Sequence, residues 1–118
     1  HFIDVVTRRD SRGALSVFDD DAPFKIKRIY YIYDLNDEPR GAHRHLTTEQ
    51  LLIALSGKCN VTVVKGGTET TFALESPDRA LYLHPDDWHT MQEFAPGTVL
   101  LALASTKYDS ADYRADPL

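Results

Sequence analysis

Two histidines and a carboxylate lie close together in the segment PRGAHRHLTTEQLLIALSG. His43 and His45 are one residue apart, Glu49 follows four residues later, and His89 occurs much further along in LHPDDWHTMQEF. Imidazole and carboxylate groups together are ligands for first-row metals such as iron, manganese, nickel or zinc. Histidine also transfers protons, because it titrates near neutral pH. The spacing alone leaves three interpretations open: a metal site, a proton-transfer site, or two surface histidines beside a turn.

The His-x-His spacing has a geometric consequence on a strand. Side chains repeat every two residues along a strand, so His43 and His45 project from the same face. If the extended conformation continues, Thr47 and Glu49 join that face. Polar groups in a protein interior are costly unless they have partners. We therefore expect these side chains to have a function or a set of hydrogen bonds.

The elements that would position these residues are short and rich in β-forming residues. The apolar stretches are FKIKRIYYIYDL, EQLLIALSG, NVTVVKGGTETTFALE, RALYLHP and TVLLALAS. Gly66-Gly67 predicts a two-residue hairpin loop, and the unbroken apolar run Leu51–Leu55 predicts a strand that is buried on both faces. We expect about seven to nine strands and little helix. The sequence therefore predicts an all-β, single-domain β-barrel or jelly roll.

Composition limits the classes of function. A chain of 118 residues with 42% hydrophobic and 26% charged residues is expected to be one soluble domain, residues 1–118. The net charge of −5 argues against a dedicated nucleic-acid binder. No apolar run approaches the roughly 20 residues that span a bilayer, and we expect neither a membrane partner nor a signal peptide. The single cysteine, Cys59, fits a reducing cytoplasm.

Two short motifs resemble those of the cupin superfamily, a small β-barrel fold. The first is HRHLTTE followed by Gly57, and the second runs from Pro85 to His89. Asp87 stands where the second motif usually has glycine, and Glu93 stands where asparagine is expected. The resemblance implies a cupin-type jelly roll, also called a double-stranded β-helix.

Longer stretches resemble one branch of that superfamily. The combination of IKRxYYIY, RGxHxH, PxxWHxM and LASxxYDxxDY, with SRGALSVFD before it, is similar to the dTDP-4-oxo-6-deoxyglucose 3,4-ketoisomerases of bacterial deoxysugar pathways. The resemblance runs from Ser11 to the end of the chain. It implies a homodimer, often with strands exchanged between subunits. It also implies a dTDP-linked 4-oxo-6-deoxyhexose as substrate, with the ketone moved from C4 to C3.

The resemblance also bears on cofactors. Family members are described as working without a metal or other cofactor, so the resemblance implies none here. It thereby removes the reason to treat His43, His45, Glu49 and His89 as one ligand set. The role of Glu49 stays open, and an ion pair with Arg44 is one alternative.

The resemblance favours His45 as the base that carries the proton between C3 and C4, with His43 positioning the sugar or tuning His45. A base that titrates near working pH suits both steps. The developing oxyanion needs a donor, and we expect Tyr31 to supply it, with Tyr33 on the same strand face. The sequence does not decide which tyrosine is catalytic.

Other residues are expected to bind the substrate. The resemblance implies that Arg12 lies near the sugar and that His89 borders the same pocket. Guanidinium groups match the geometry of a diphosphate, and Arg28 and Arg40 are the candidates.

Several alternatives remain open from sequence. The chain could be a metal-dependent cupin, such as a dioxygenase or a phosphosugar isomerase. It could be a non-catalytic module that binds a nucleotide sugar, or an epimerase that also removes protons next to the ketone. The sequence does not decide the C4 stereochemistry of the product, gluco or galacto, nor whether the chain is part of a larger bifunctional protein.

Overall fold

Twelve strands and one short 3₁₀ helix make up the fold in a computed structural model that describes residues 1–118. The strands are β1 (Phe2–Asp4), β2 (Val6–Asp10), β3 (Gly13–Val17), β4 (Arg28–Ile32), β5 (Arg40–His45), β6 (Gln50–Ser56), β7 (Cys59–Lys65), β8 (Thr68–Leu74), β9 (Arg79–Leu83), β10 (Trp88–Gln92), β11 (Val99–Ala104) and β12 (Tyr113–Arg114). The 3₁₀ helix is Ser110–Asp112. No helix is long and apolar enough to cross a membrane.

The strands form two five-stranded antiparallel sheets that pack face to face. Their orders are β1-β9-β6-β11-β4 and β12-β5-β10-β7-β8, and β2 and β3 form a separate two-stranded hairpin. This arrangement confirms the predicted all-β jelly roll. The expected seven to nine strands were too few, because the short N-terminal strands and β12 lack the long apolar runs on which the count rested.

The central strand β6 explains the apolar run in EQLLIALSG. Leu52 and Ala54 join the core between the two sheets. Leu51 and Ile53 belong to a second cluster on the opposite face of the sheet, packed against residues of the N-terminal segment such as Phe24. Both faces are therefore buried, as the loss of alternation predicts. The prediction fails only at the last residue of the run, Leu55, which is exposed.

The turn between β7 and β8 follows the prediction from Gly66-Gly67. Lys65 pairs with Thr68 across the turn. Both glycines have positive φ, 57° and 79°, which a type I′ hairpin turn requires of its two central residues.

The pairing of β5 with β10 contains a local irregularity beside the histidines. His89 pairs with His43, and the register shifts between His89 and Thr90. Opposite this shift, Gly41 and Ala42 have positive φ values of 91° and 59°. A Cβ on Gly41 would lie 2.9 Å from the carbonyl oxygen of His89, so the close approach of these two strands requires glycine at this position.

Candidate active site

Three histidines from two neighbouring strands form the centre of the site. The ring centroid of His43 lies 5.1 Å from those of His45 and His89, and the rings of His45 and His89 are 6.4 Å apart. His45 is 5% exposed and His89 is 2% exposed. The prediction that the His-x-His pair shares one face is confirmed, and the barrel interior is that face.

The C-terminal segment covers this cluster. Tyr113 pairs with His45 between β12 and β5, and its ring centroid lies 4.4 Å from that of His45 and 4.9 Å from that of His43. A cavity of only about 10 Å³ separates His45 from the residues that follow β11. The imidazole of His45 is therefore enclosed largely by residues near the end of the chain.

Arg28 brings a positive charge to the same place. Its Nη1 donates a hydrogen bond of 3.4 Å to the hydroxyl of Tyr113. Its guanidinium also lies 4.5 Å from the ring centroid of Tyr30, whose hydroxyl accepts a 2.7 Å hydrogen bond from Gln50. Arg28 thus links β4 to the aromatic ring that covers the histidines.

A buried carboxylate supports His45 from behind. Asp112 Oδ2 accepts a hydrogen bond from His45 Nδ1 at 3.2 Å. The backbone N–H and the hydroxyl of Thr47 both donate to Asp112 Oδ1 at 2.8 Å, and the hydroxyl of Thr48 donates to Oδ2. No role was predicted for Asp112 from the sequence. It lies in LASxxYDxxDY, where no spacing connects it to the His-x-His motif.

The pKa values of these groups follow from burial and from their hydrogen bonds. Burial lowers the pKa of His43 and of His45, and the hydrogen bond to Asp112 opposes that effect at His45. Burial lowers the pKa of His89 to about 4. Burial alone would raise the pKa of Asp112, but donors from Thr48, Thr47 and His45 lower it to about 2. At neutral pH the site therefore holds neutral imidazoles beside an ionised carboxylate.

Glu49 does not join the histidines, contrary to the expectation from strand alternation. β5 ends at His45 and the chain turns, so Thr47 bonds to Asp112 instead of continuing the strand. The carboxylate of Glu49 accepts a hydrogen bond from the hydroxyl of Tyr82. The alternative role for Glu49, an ion pair with Arg44, is not formed, because Arg44 binds Asp86 at 2.7 Å.

The four residues considered as a metal ligand set are consequently not assembled. No group of three histidine, cysteine, aspartate or glutamate side chains has an arrangement that could hold a metal ion. The separation follows from the turn between β5 and β6, which directs the one acidic member of the set away from the imidazoles.

The tyrosines of β4 are placed by strand alternation. Tyr31 and Tyr33 are 63% and 58% exposed, and their rings stack on each other with centroids 5.9 Å apart. Within this chain they face away from His45, which corrects the expectation that Tyr31 meets the histidines. Tyr30, the neighbour of opposite parity, packs against the inner core. The tyrosine in contact with His45 is Tyr113, for which no role was predicted from the sequence.

The predicted arginines are spread over the molecule. Arg28 contacts the aromatic cover of the site, as described above. Arg12 lies at the tip of the β2–β3 hairpin, where its side chain is 87% exposed and pairs with Asp10 at 2.7 Å. Arg40 is exposed at the start of β5. A single copy of the chain therefore does not bring Arg12 to the histidines.

Two antiparallel sheets that enclose inward-facing histidines from neighbouring strands define a barrel of the cupin type. Comparison with known proteins narrows this class. The family model described as "FdtA: WxcM-like, C-terminal" matches residues 1–117. The chain therefore belongs to the FdtA family.

Individual relatives agree with this assignment. The chain is 43% identical over 107 residues to a TDP-4-oxo-6-deoxy-alpha-D-glucose-3,4-oxoisomerase from Aneurinibacillus thermoaerophilus, covering 88% of this chain and 77% of the relative. A 3,4-ketoisomerase from Helicobacter canadensis superposes with a TM-score of 0.94 at 37% identity, covering 98% of this chain and 90% of the other.

A third relative has been solved with a sugar nucleotide. It is a variant of the 3,4-ketoisomerase QdtA from Thermoanaerobacterium thermosaccharolyticum in complex with TDP-4-keto-6-deoxyglucose. Its TM-score is 0.95 at 35% identity, covering 98% of this chain and 86% of that chain. The similarity thus extends over nearly the whole barrel.

Proposed function

We propose that this protein is a sugar-nucleotide 3,4-ketoisomerase that converts dTDP-4-oxo-6-deoxyglucose to a dTDP-3-oxo-6-deoxyhexose in deoxysugar biosynthesis. Membership of the FdtA family and the activities of its similar members support this substrate and reaction. The observation within the molecule that carries the proposal is a buried, carboxylate-bonded histidine, His45, whose Nε2 has no hydrogen-bond partner.

The reaction requires two proton transfers at neighbouring carbons. The hydrogen on C3 is acidic because it lies next to the C4 ketone. His45 Nε2 removes this proton, and the electron pair of the C–H bond forms the C3–C4 double bond of an enediolate. The hydroxyl proton on O3 moves to O4, and the imidazolium of His45 then returns its proton to C4. The carbonyl is left at C3, and one neutral base performs both steps.

His45 suits this role better than its neighbours do. Nδ1 of His43 lies 3.1 Å from the carbonyl oxygen of Gly41, and Nδ1 of His89 lies 3.2 Å from that of Asp87. A backbone carbonyl stabilises the imidazolium less than an ionised carboxylate does. Burial also makes His89 a weak base, with a pKa of about 4. His43 and His89 therefore position the sugar beside His45.

The enediolate oxygens need hydrogen-bond donors. The hydroxyl of Tyr113 lies beside the histidines and is bonded to Arg28. A neighbouring guanidinium favours negative charge on nearby oxygens. We assign Tyr113 to proton exchange at the sugar oxygens. We place Arg28 near the reacting sugar. We assign Arg40, the other arginine predicted to bind the diphosphate, to the diphosphate.

The assembly we propose is a homodimer in which the β2–β3 hairpin crosses to a second copy. In one copy this hairpin bonds to no other strand, and it exposes apolar side chains, Val6 at 45% and Leu15 at 60%. An isolated two-stranded hairpin is marginally stable in water. Docking on a second barrel buries that surface and carries Arg12 toward the partner's site, where we place it beside the sugar.

The cellular location we propose is the cytoplasm. The single cysteine, Cys59, is buried and unpaired, and burial raises the pKa of its thiol to about 11. A chain without disulfides fits a reducing compartment.

An NMR assay of the purified protein with dTDP-4-oxo-6-deoxyglucose tests the function. We expect the signals of the 4-oxo sugar to be replaced by those of a 3-oxo sugar with hydrogen on C4. Appearance of a 4-oxo sugar inverted at C3 or C5 would identify an epimerase. An unchanged substrate that nonetheless binds would identify a binding module, and either result would contradict the proposal.

A further inference from the structure

The contact between Asp112 and His45 belongs to a dense cluster of hydrogen bonds inside the barrel. Asp112 is 9% exposed, and its two carboxylate oxygens accept four hydrogen bonds from three residues. Those residues are His45, Thr47 and Thr48. Thr48 is itself bonded to Thr106 at 2.6 Å. These hydrogen bonds therefore hold the carboxylate in one orientation, with Oδ2 facing His45.

The protonation states of the pair follow from these bonds. Asp112 is ionised at neutral pH, because its hydrogen bonds outweigh the effect of burial on its pKa. An ionised carboxylate only accepts hydrogen bonds, so Nδ1 of His45 must carry the proton in their 3.2 Å contact. In a neutral imidazole the other nitrogen is then an acceptor with a free lone pair. That nitrogen is Nε2, which is buried and has no partner.

We propose that Asp112 is a positioning residue for catalysis, which fixes the tautomer and ring orientation of His45 and stabilises the imidazolium that forms after C3 deprotonation. The inference rests on the proposed function and extends it to a residue outside the His-x-His motif. A carboxylate that holds a catalytic imidazole in this way makes it a better base and prevents the unproductive tautomer.

The other charged and titratable groups around His45 act in the opposite direction. Burial and the charges of His43 and Arg28 lower the pKa of His45, whereas Asp112 raises it. Of the remaining titratable groups, His89 and Tyr113 lie against the ring. Lys107, Tyr108 and Asp109 line the small cavity beside it. Asp112 is the one acidic side chain bonded to His45. Its removal should therefore leave a weaker base, and not merely a less stable barrel.

The substitution Asp112→Asn tests the inference, with Asp109→Asn as the matched control. Asp109 caps the same 3₁₀ helix by accepting from the backbone N–H of Ala111, and asparagine caps as well as aspartate does. Both variants thus lose one carboxylate from the same segment. We expect Asp112→Asn to lower kcat about 100-fold with little change in KM for the sugar nucleotide, and Asp109→Asn to behave as the unmodified protein.

The pH profile separates positioning from a purely structural role. The reaction needs neutral His45, so kcat/KM falls as the pH drops through the pKa of His45 in the free enzyme. Loss of a group that raises this pKa moves the acidic limb to lower pH in Asp112→Asn. A structural role alone would lower the rate and leave the limb where it is, which would overturn the inference.

A measurement on the unmodified protein covers the case in which Asp112→Asn fails to fold. We expect ¹⁵N NMR of the histidine rings at neutral pH to show His45 protonated on Nδ1 and unprotonated on Nε2. Protonation on Nε2 would overturn the inference. Each of these contrary results leaves the proposed function intact as long as the protein forms the 3-oxo sugar and His45→Asn does not, so the two failures are distinguishable.

Discussion

The phenol of Tyr113 lies across the imidazole of His45, with ring centroids 4.4 Å apart and planes inclined by 57°. The two residues are register partners between β12 and β5, the strand that carries the His-x-His motif. The last strand of the chain thereby closes one side of the site. This places a hydroxyl, held by Arg28, next to the base that we assign to the reaction.

The first prediction concerns this hydroxyl. Tyr113→Phe keeps the ring that covers His45 and removes only the donor, so we expect folding to be retained and kcat to fall about 10- to 100-fold. Steady-state kinetics with the 4-oxo sugar nucleotide measure the effect. Tyr31→Phe is the informative comparison, since Tyr31 faces outward in a single copy. A loss confined to Tyr31→Phe would transfer the donor role to a tyrosine supplied at a dimer interface.

The second prediction concerns the exchanged hairpin. In a mixed dimer, one subunit carries Arg12→Ala and the other carries His45→Asn. If Arg12 acts in the partner's site, both defects fall in one of the two sites and the other site is intact. We expect both variants to be weakly active alone, and unfolding and refolding them together to restore about a quarter of the unmodified activity, because half of the dimers are mixed and each contains one intact site. Mixing without any gain, in a protein shown to be dimeric by light scattering, would place Arg12 in its own copy's site or in none.

The third prediction concerns stability at acidic pH. His89 has a pKa of about 4 in the folded protein, against about 6.5 for an unperturbed histidine. Between these values the unfolded chain binds more protons, so the free energy of unfolding falls as the pH drops through this window. His89 alone should cost about 2 kcal/mol at pH 5 relative to pH 7.5.

Urea unfolding of the unmodified protein and of His89→Gln at the two pH values measures this contribution. The glutamine variant should lose less stability on acidification, although His43 and His45 shift in the same direction and keep part of the dependence. An equal loss in both proteins would contradict the prediction, because it would mean that His89 has the same pKa in the folded protein and in the unfolded chain.

The local sequence patterns predicted much of this fold for identifiable reasons. The hairpin at Gly66-Gly67 depends on backbone conformations that glycine adopts readily, and the burial of β6 follows from its unbroken apolar run. The shared face of His43 and His45 follows from strand periodicity. These features are set by neighbouring residues, so the sequence alone was sufficient for them.

The rest of the site depends on contacts between distant parts of the chain. Asp112 and Tyr113 reach His45 only because β12 pairs with β5, and no pattern in either segment indicates that pairing. Glu49 was misplaced because a turn ends β5 at His45, and alternation cannot predict where a strand stops. Tyr31 was misplaced within the single copy because alternation separates the faces of β4 without saying which of them points inward.

Proton exchange at the sugar carbons tests the central claim most directly. In deuterated water, the unmodified protein should form the 3-oxo sugar. Deuterium should be incorporated at C4 in the fraction of turnovers in which His45 exchanges its proton with solvent between the two steps. His45→Asn should still bind dTDP while product formation and exchange at C3 fall by about 10²–10⁴-fold. Turnover and exchange by His45→Asn at the rate of the unmodified protein would contradict the account, because the transferred proton would then belong to another group.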